Sequence, residues 1–209
     1  LAGRARDRVT FAVRNSMADI TVDPDSIDQS DFGIRAAVID NRKREVFPLI
    51  LPMPGLHNLS NALAAIAAAS AAGIGVGHAA YALRSFAGLA RRYDVIGSSP
   101  SGITVIDDFG HNPEKCAATL RTLKASHGRV IAFFQPHGYG PLRQMGEELA
   151  ATFARELGPE DITIMCDPVY FGGTVDCSVG SERITALIKV SGGTAEHIPA
   201  REDCADRIV

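Results

Sequence analysis

From residue 103 onward, short apolar runs alternate with amphipathic stretches, and this alternation leaves the second half of the chain few architectures. Residues 103–109, 129–134, 161–167 and 195–199 read as strands, and 114–124, 142–156 and 181–190 as helices. Strands separated by helices of this length re-enter one sheet in the same direction, so the pattern predicts a parallel sheet with flanking helices and right-handed crossovers. Ile103-Thr104-Val105-Ile106 reads as a buried strand that ends in Asp107-Asp108-Phe109-Gly110-His111-Asn112-Pro113. The carboxyl ends of parallel strands form the usual ligand crevice, so two acids and a histidine there mark a candidate site. Phe133-Phe134-Gln135-Pro136-His137-Gly138-Tyr139-Gly140 repeats that placement.

The first half carries a different signal. Residues 8–13, 34–40 and 45–51 hold β-branched or aromatic residues between turn sequences such as Asp23-Pro24-Asp25 and Asp40-Asn41-Arg42-Lys43, predicting a small antiparallel meander. Ala- and Leu-rich spacing then predicts helices over 58–72 and 77–86, with Gly73-Ile74-Gly75 as the stop between them. In Gly55-Leu56-His57-Asn58-Leu59-Ser60-Asn61, two carboxamides three residues apart share a face at the positively polarised end of the first helix. Free N–H groups there suit an anion or a base edge. N-capping by Asn58, with Asn61 incidental, is the plainer reading.

Taken together, the amide segment, Gly88-Leu89-Ala90-Arg91-Arg92-Tyr93, Asp107 to Pro113 and Gln135-Pro136-His137 resemble the Mur ligase family of ATP-dependent peptide ligases, nearest its alanine-adding branch. The resemblance covers roughly residues 45–190. It implies an α/β fold: residues 1–90 as the last part of a central ATP-binding domain, with a small antiparallel sheet plus helices, and 91–209 as a Rossmann-like, mostly parallel C-terminal domain. It also implies ATP and Mg2+, with Asn58 and Asn61 facing the adenine, Arg92 the phosphates and Asp108 the ribose. An amide can pair with a base edge, a guanidinium spreads charge over phosphate oxygens, and a carboxylate accepts from vicinal hydroxyls. Arg92 and His111 are the implied catalytic residues. His111, His137, Tyr139 and Arg143 are the implied substrate residues, serving a UDP-N-acetylmuramate-like donor and an amino acid or amine acceptor.

The sequence departs from that pattern on the acceptor side. Gly138 and Pro141 stand where alanine-adding members carry the arginines that clamp the incoming carboxylate, and only Tyr139 and Arg143 persist. Phe109 and Asn112 replace a Tyr and a second His. An altered acceptor is therefore expected. His137 also reads as a strand–helix turn cap and Arg143 as a solvated first-turn residue. Asp167-Pro168-Val169-Tyr170-Phe171-Gly172-Gly173-Thr174 is expected either to line the acceptor pocket or to be an ordinary Gly-rich connection.

Composition fits a globular chain: 209 residues, 46% of them apolar, suffice for one large or two small domains. A net charge of −3, from 21 basic and 24 acidic residues, argues against phosphate-driven nucleic-acid binding. The Ala-rich run from Asn61 to Gly75 is shorter than the ~20 residues a membrane span needs, so no membrane partner and a cytoplasmic location are expected. Cys116, Cys166, Cys177 and Cys204 are widely spaced, which predicts free, mostly buried thiols. No metal site is expected, although His57, His111 and His137 could in principle converge on one. Nothing in the chain matches Gly-x-x-x-x-Gly-Lys-Ser/Thr, so an ATP site here is incomplete and the chain reads as an inactive fragment of a longer ligase. A non-catalytic binding module of the same fold is the alternative. No strand is followed by Gly-x-Gly-x-x-Gly, which argues against a dinucleotide-dependent oxidoreductase.

Overall fold

The computed structural model describes residues 8–30, 32–170 and 172–208, in two compact units, Leu1–Asp108 and Phe109–Val209. In the first unit, β1 (Ile20–Val22), β2 (Asp28–Ser30), β3 (Gly33–Asp40) and β4 (Glu45–Leu51) form an antiparallel sheet with β3 at its centre. One edge of β3 pairs with β4 along its whole length, from Ile34 opposite Leu51 to Asp40 opposite Glu45. The other edge is shared, β1 taking Val38 to Asp40 and β2 taking Gly33 to Arg35. Between those two strands the chain detours through a 3-10 turn, Pro24–Ser26, whose Asp23 cap accepts from the Asp25 N–H. The detour still satisfies Ala37, in the gap between them, because the Asp23 N–H donates to the Ala37 carbonyl at 3.0 Å and the Ala37 N–H to Ser26 Oγ at 2.8 Å.

The expected first strand over 8–13 is absent. Phe11 makes one isolated bridge to Ile20, where the Ile20 N–H donates to the Thr10 carbonyl at 3.0 Å and the Ala12 N–H to the Ile20 carbonyl at 3.1 Å, and Asp19 adds to this by accepting from both the N–H and the hydroxyl of Thr10 at 2.7 Å.

Helix α1 (Leu56–Ala71) buries Leu59, Ala62, Leu63, Ile66 and Ala67, a stripe at helical spacing, against Ile20, Val22, Ile34, Val38, Leu49 and Leu51 of the sheet. It ends at Gly73 (φ 91°), where the Gly73 and Ile74 N–H groups donate back to Ser70 and Ala69. Helix α2 (Val76–Ala82) adds Val76 and Ala80 to this core. The unit closes with a hairpin, β5 (Asp94–Ser98) and β6 (Thr104–Asp107), turned through Ser99–Gly102 with Gly102 at φ 85°.

This hairpin corrects the reading of 103–109 as a buried strand of the parallel sheet. Ile103 and Val105 are each 55% exposed, and β6 pairs antiparallel with β5. The Ser99 N–H to Ile103 carbonyl bond, at 2.8 Å, closes a short loop that the apolar pattern alone did not reveal.

In the second unit, β7 (Ile131–Phe134), β8 (Ile162–Met165) and β9 (Ala195–His197) form a parallel sheet in that order, connected by α4 (Tyr139–Glu156) and α5 (Ser181–Val190), with α3 (Pro113–Ser126) before β7. Met165 packs with Leu120, Leu149, Phe153, Ile184 and Ile188 of the three helices. Ile162, Ile164 and Cys166 face the other side, against Cys204 of α6 (Asp203–Ile208). Alternate residues of one strand thus serve two cores. All four cysteines are free thiols and three are buried, with burial pushing Cys166 up to about 11.

Candidate functional site

Helix α1 begins two residues before the expected point, and Gly55 (φ 97°), not Asn58, is its N-cap. Asn58 is the third helical residue, so the capping reading falls. Its carboxamide N–H donates to the Pro54 carbonyl at 2.7 Å and the residue is buried, whereas Asn61 is exposed one turn on. No side chain caps this helix, so its amino end presents backbone N–H groups and the positive pole of sixteen aligned peptides. Gln29 fixes the approach by accepting from the Gly55 N–H at 3.2 Å.

His57, in the first turn, is half-buried, and burial holds its pKa below the ordinary value. The Asp108 carboxylate partly offsets this, placing Asp108 within electrostatic reach of the α1 mouth. Asp108 Oδ2 also accepts from the Tyr93 N–H at 2.9 Å. Arg92 lies between Arg91 (φ 61°) and Tyr93 (φ 51°), two non-glycine residues in the left-handed region. Such strain persists only where the surroundings hold it, and here Asp94 and Asp108 accept from the flanking N–H groups. Arg91 pairs with Asp107 at 3.4 Å.

A second group of residues gathers at the carboxyl edge of the parallel sheet. Asn112 caps α3 by accepting from the Lys115 N–H at 2.9 Å, which accounts physically for an asparagine at that position. His111 Nδ1 lies 3.1 Å from the Phe109 carbonyl and Nε2 lies 3.4 Å from Lys115 Nζ. The ammonium has only donors, so Nε2 accepts and Nδ1–H donates. Phe109 sits between two imidazoles, 5.2 Å from His111 and 5.9 Å, edge-on, from His137. These rings border a cavity of about 250 Å³ whose other walls are Phe134, Pro136, Pro141, Leu142, Met145, Gly146 and Leu149.

Tyr139 opens α4 behind Gly138 (φ 140°) and meets Tyr170 edge-on at 6.3 Å, while Arg143 Nη1 donates to Asp176 Oδ2 at 2.6 Å. The loop after β8 thus folds over the start of α4, tied there by the Val169 N–H to Pro136 carbonyl bond at 3.0 Å. Burial leads the causes that raise the Tyr139 pKa. Val169 is half-buried and Tyr170 exposed; Phe171, expected with them at an apolar tip, lies outside the described residues.

Sequence reasoning missed one pair at the same edge. His197, at the end of β9, places Nε2 2.7 Å from Asp167 Oδ1, just beyond β8. The partners are 30 residues apart, and although Asp167 opens the segment singled out above, nothing in the sequence joins it to His197. Among the described residues, no group of three or more His, Cys, Asp or Glu is arranged to hold a metal ion, and no helix is long and apolar enough to cross a membrane.

A family model described as Mur ligase, glutamate ligase domain, matches residues 91–209. The chain belongs to the Mur ligase family. A UDP-N-acetylmuramate–L-alanine ligase of Agrobacterium fabrum is 35% identical over 216 residues, covering 100% of this chain and 44% of the relative. The chain therefore spans less than half the length of that curated relative. Among solved structures, the Mur ligase fold is matched by the UDP-N-acetylmuramate–alanine ligase of Thermotoga maritima at a TM-score of 0.70 and 26% identity, covering 96% of this chain and 41% of that one. Folylpolyglutamate synthase of Mycobacterium tuberculosis, solved with ADP and AMPPCP, shares the fold at a TM-score of 0.65 and 18% identity, over 91% of this chain and 40% of that one.

Proposed function

We propose that this chain is part of an ATP-dependent ligase of the Mur type, which joins a UDP-N-acetylmuramate-like carboxylate to an amino acid or amine through an acyl phosphate. The observation that carries the reading is the uncapped amino end of α1 within electrostatic reach of Asp108. ATP supplies the phosphoryl group that turns a poor leaving oxygen into phosphate. Asn61 pairs with the adenine edge, Asn58 shapes the mouth through its bond to Pro54, and Asp108, whose Oδ2 accepts from the Tyr93 N–H, accepts from the ribose hydroxyls. Arg92, fixed in a strained turn, meets phosphate charge as it develops. On the acceptor side, His111 and His137 line the place where the amine arrives, and Tyr139 and Arg143 order the loop above it.

The 209 residues contain no Gly-x-x-x-x-Gly-Lys-Ser/Thr loop to cradle a triphosphate. The isolated chain is accordingly expected to bind ATP weakly and not to turn over. In the full gene product, Asn61→Ala removes an exposed carboxamide without touching the core, and it is expected to raise the KM for ATP about tenfold, the upper range for one net hydrogen bond. Asp108→Asn should act in the same direction. Steady-state kinetics with ATP varied read both, and an unchanged KM in either variant removes that residue from the nucleotide site.

A further inference from the structure

The cavity at the carboxyl edge of β7 has the wrong size and lining for a small acceptor. A cavity of about 150 Å³ already takes a benzene-sized group, so one of about 250 Å³ is left mostly empty by a methyl side chain. Its walls are Phe134, Leu142, Met145 and Leu149, and its polar groups are confined to the two histidines at one side. Beside them, Lys115 Nζ stands 3.4 Å from His111 Nε2. Arg143 is turned away into its bond with Asp176. Charge therefore lies at one end of the space and apolar surface fills the rest.

We propose that this cavity is the acceptor's side-chain pocket and takes an amino acid with a bulky apolar side chain, whose carboxylate pairs with the Lys115 ammonium beside His111. The inference rests on the ligase reading for the meaning of "acceptor", but the binding it requires does not. Burial of apolar carbon is worth roughly fourfold in affinity for each CH2, and leucine carries three more carbons than alanine. Leucine and phenylalanine should therefore bind at least about tenfold more tightly than alanine. 3-Methylbutylamine, which keeps leucine's side chain and lacks its carboxylate, should bind more weakly than leucine.

The test is a titration of this chain, 13C-labelled at the methionine methyls, with L-alanine, L-leucine, L-phenylalanine and 3-methylbutylamine. Leucine and phenylalanine are expected to shift the Met145 methyl and to saturate it at concentrations at least about tenfold below alanine's. Met145→Trp, which fills the cavity, should abolish that preference. Lys115→Ala should weaken leucine while leaving 3-methylbutylamine unchanged. No Met145 shift with either bulky amino acid, or saturation by alanine at the same concentration, overturns the pocket, and equal binding of leucine and 3-methylbutylamine overturns the carboxylate seat. Amide formation by the full gene product then separates the two readings. ATP-dependent product from alanine but not leucine sinks the pocket and leaves the ligase, whereas tight leucine binding without ATP-dependent product sinks the ligase and leaves the pocket.

Discussion

Asp161→Ala is expected to lower the unfolding free energy of the second unit by about 1–3 kcal/mol for the buried Val130 N–H left without an acceptor, with a smaller addition from the half-buried Gly158 N–H. Asp161 is 2% exposed and sits where β7 and β8 begin. Its carboxylate accepts from the Val130 N–H at 2.7 Å, the Gly158 N–H at 2.6 Å and Lys124 Nζ at 3.0 Å. One side chain thus fixes the entry to two strands and the end of α3. Asp161→Asn is a harsher control than it looks, because its NH2 meets a donor at one of these positions. Burial pushes the Asp161 carboxyl up, but the Gly158 and Val130 N–H groups and Lys124 outweigh it and hold the pKa below the usual 3.8. The stabilisation is therefore complete above that value and lost as pH falls through the lower, folded-state one. Urea unfolding should show a loss of stability below about pH 4 that is diminished in Asp161→Ala. A change under 1 kcal/mol at pH 7 would remove Asp161 from this role.

Arg42→Ala should cost the first unit about 3 kcal/mol, the lower end of the range for stripping the partner from a buried charge. Asp40 is 1% exposed at the end of β3. Arg42 reaches it with two bonds, Nε to Oδ1 at 2.9 Å and Nη2 to Oδ2 at 2.8 Å, and Nη2 also reaches Ser70 Oγ on α1 at 2.7 Å. Those Arg42 hydrogen bonds lead the causes that lower the Asp40 pKa, so this contribution too disappears in acid. Adding Asp40→Asn to Arg42→Ala should restore part of the loss, since an amide costs less to bury than an unpaired carboxylate. Equal stability of the Arg42→Ala and double variants would show that the pair's charge is not what matters.

Neither carboxylate was legible in the sequence as a structural centre. Asp161 finds two of its three partners 31 and 37 residues away, and Asp40 reads as an ordinary turn residue. Elements fixed by local periodicity were legible: the β3–β4 hairpin, α1 within two residues, α5 at its bounds, and the β7-α4-β8-α5-β9 alternation. The reading failed where apolar content did not say which neighbour a strand would take, as for β6. At the site, the motif residues were named from the sequence. The sequence did not show that Asn58 is committed to Pro54, that Asn112 is a helix cap, or that His197 and Asp167 pair across strand ends. Each of those depends on backbone direction at a loop, which residue type alone does not set.

The central claim is transfer through an acyl phosphate, and oxygen transfer tests it most directly. With a UDP-N-acetylmuramate-like donor carrying 18O in its carboxylate, the full gene product, ATP and an amino acid acceptor should yield ADP and inorganic phosphate bearing one 18O for each amide formed, because the carboxylate oxygen that accepts the phosphoryl group leaves with it. Amide formation with unlabelled phosphate, or with AMP in place of ADP, contradicts it.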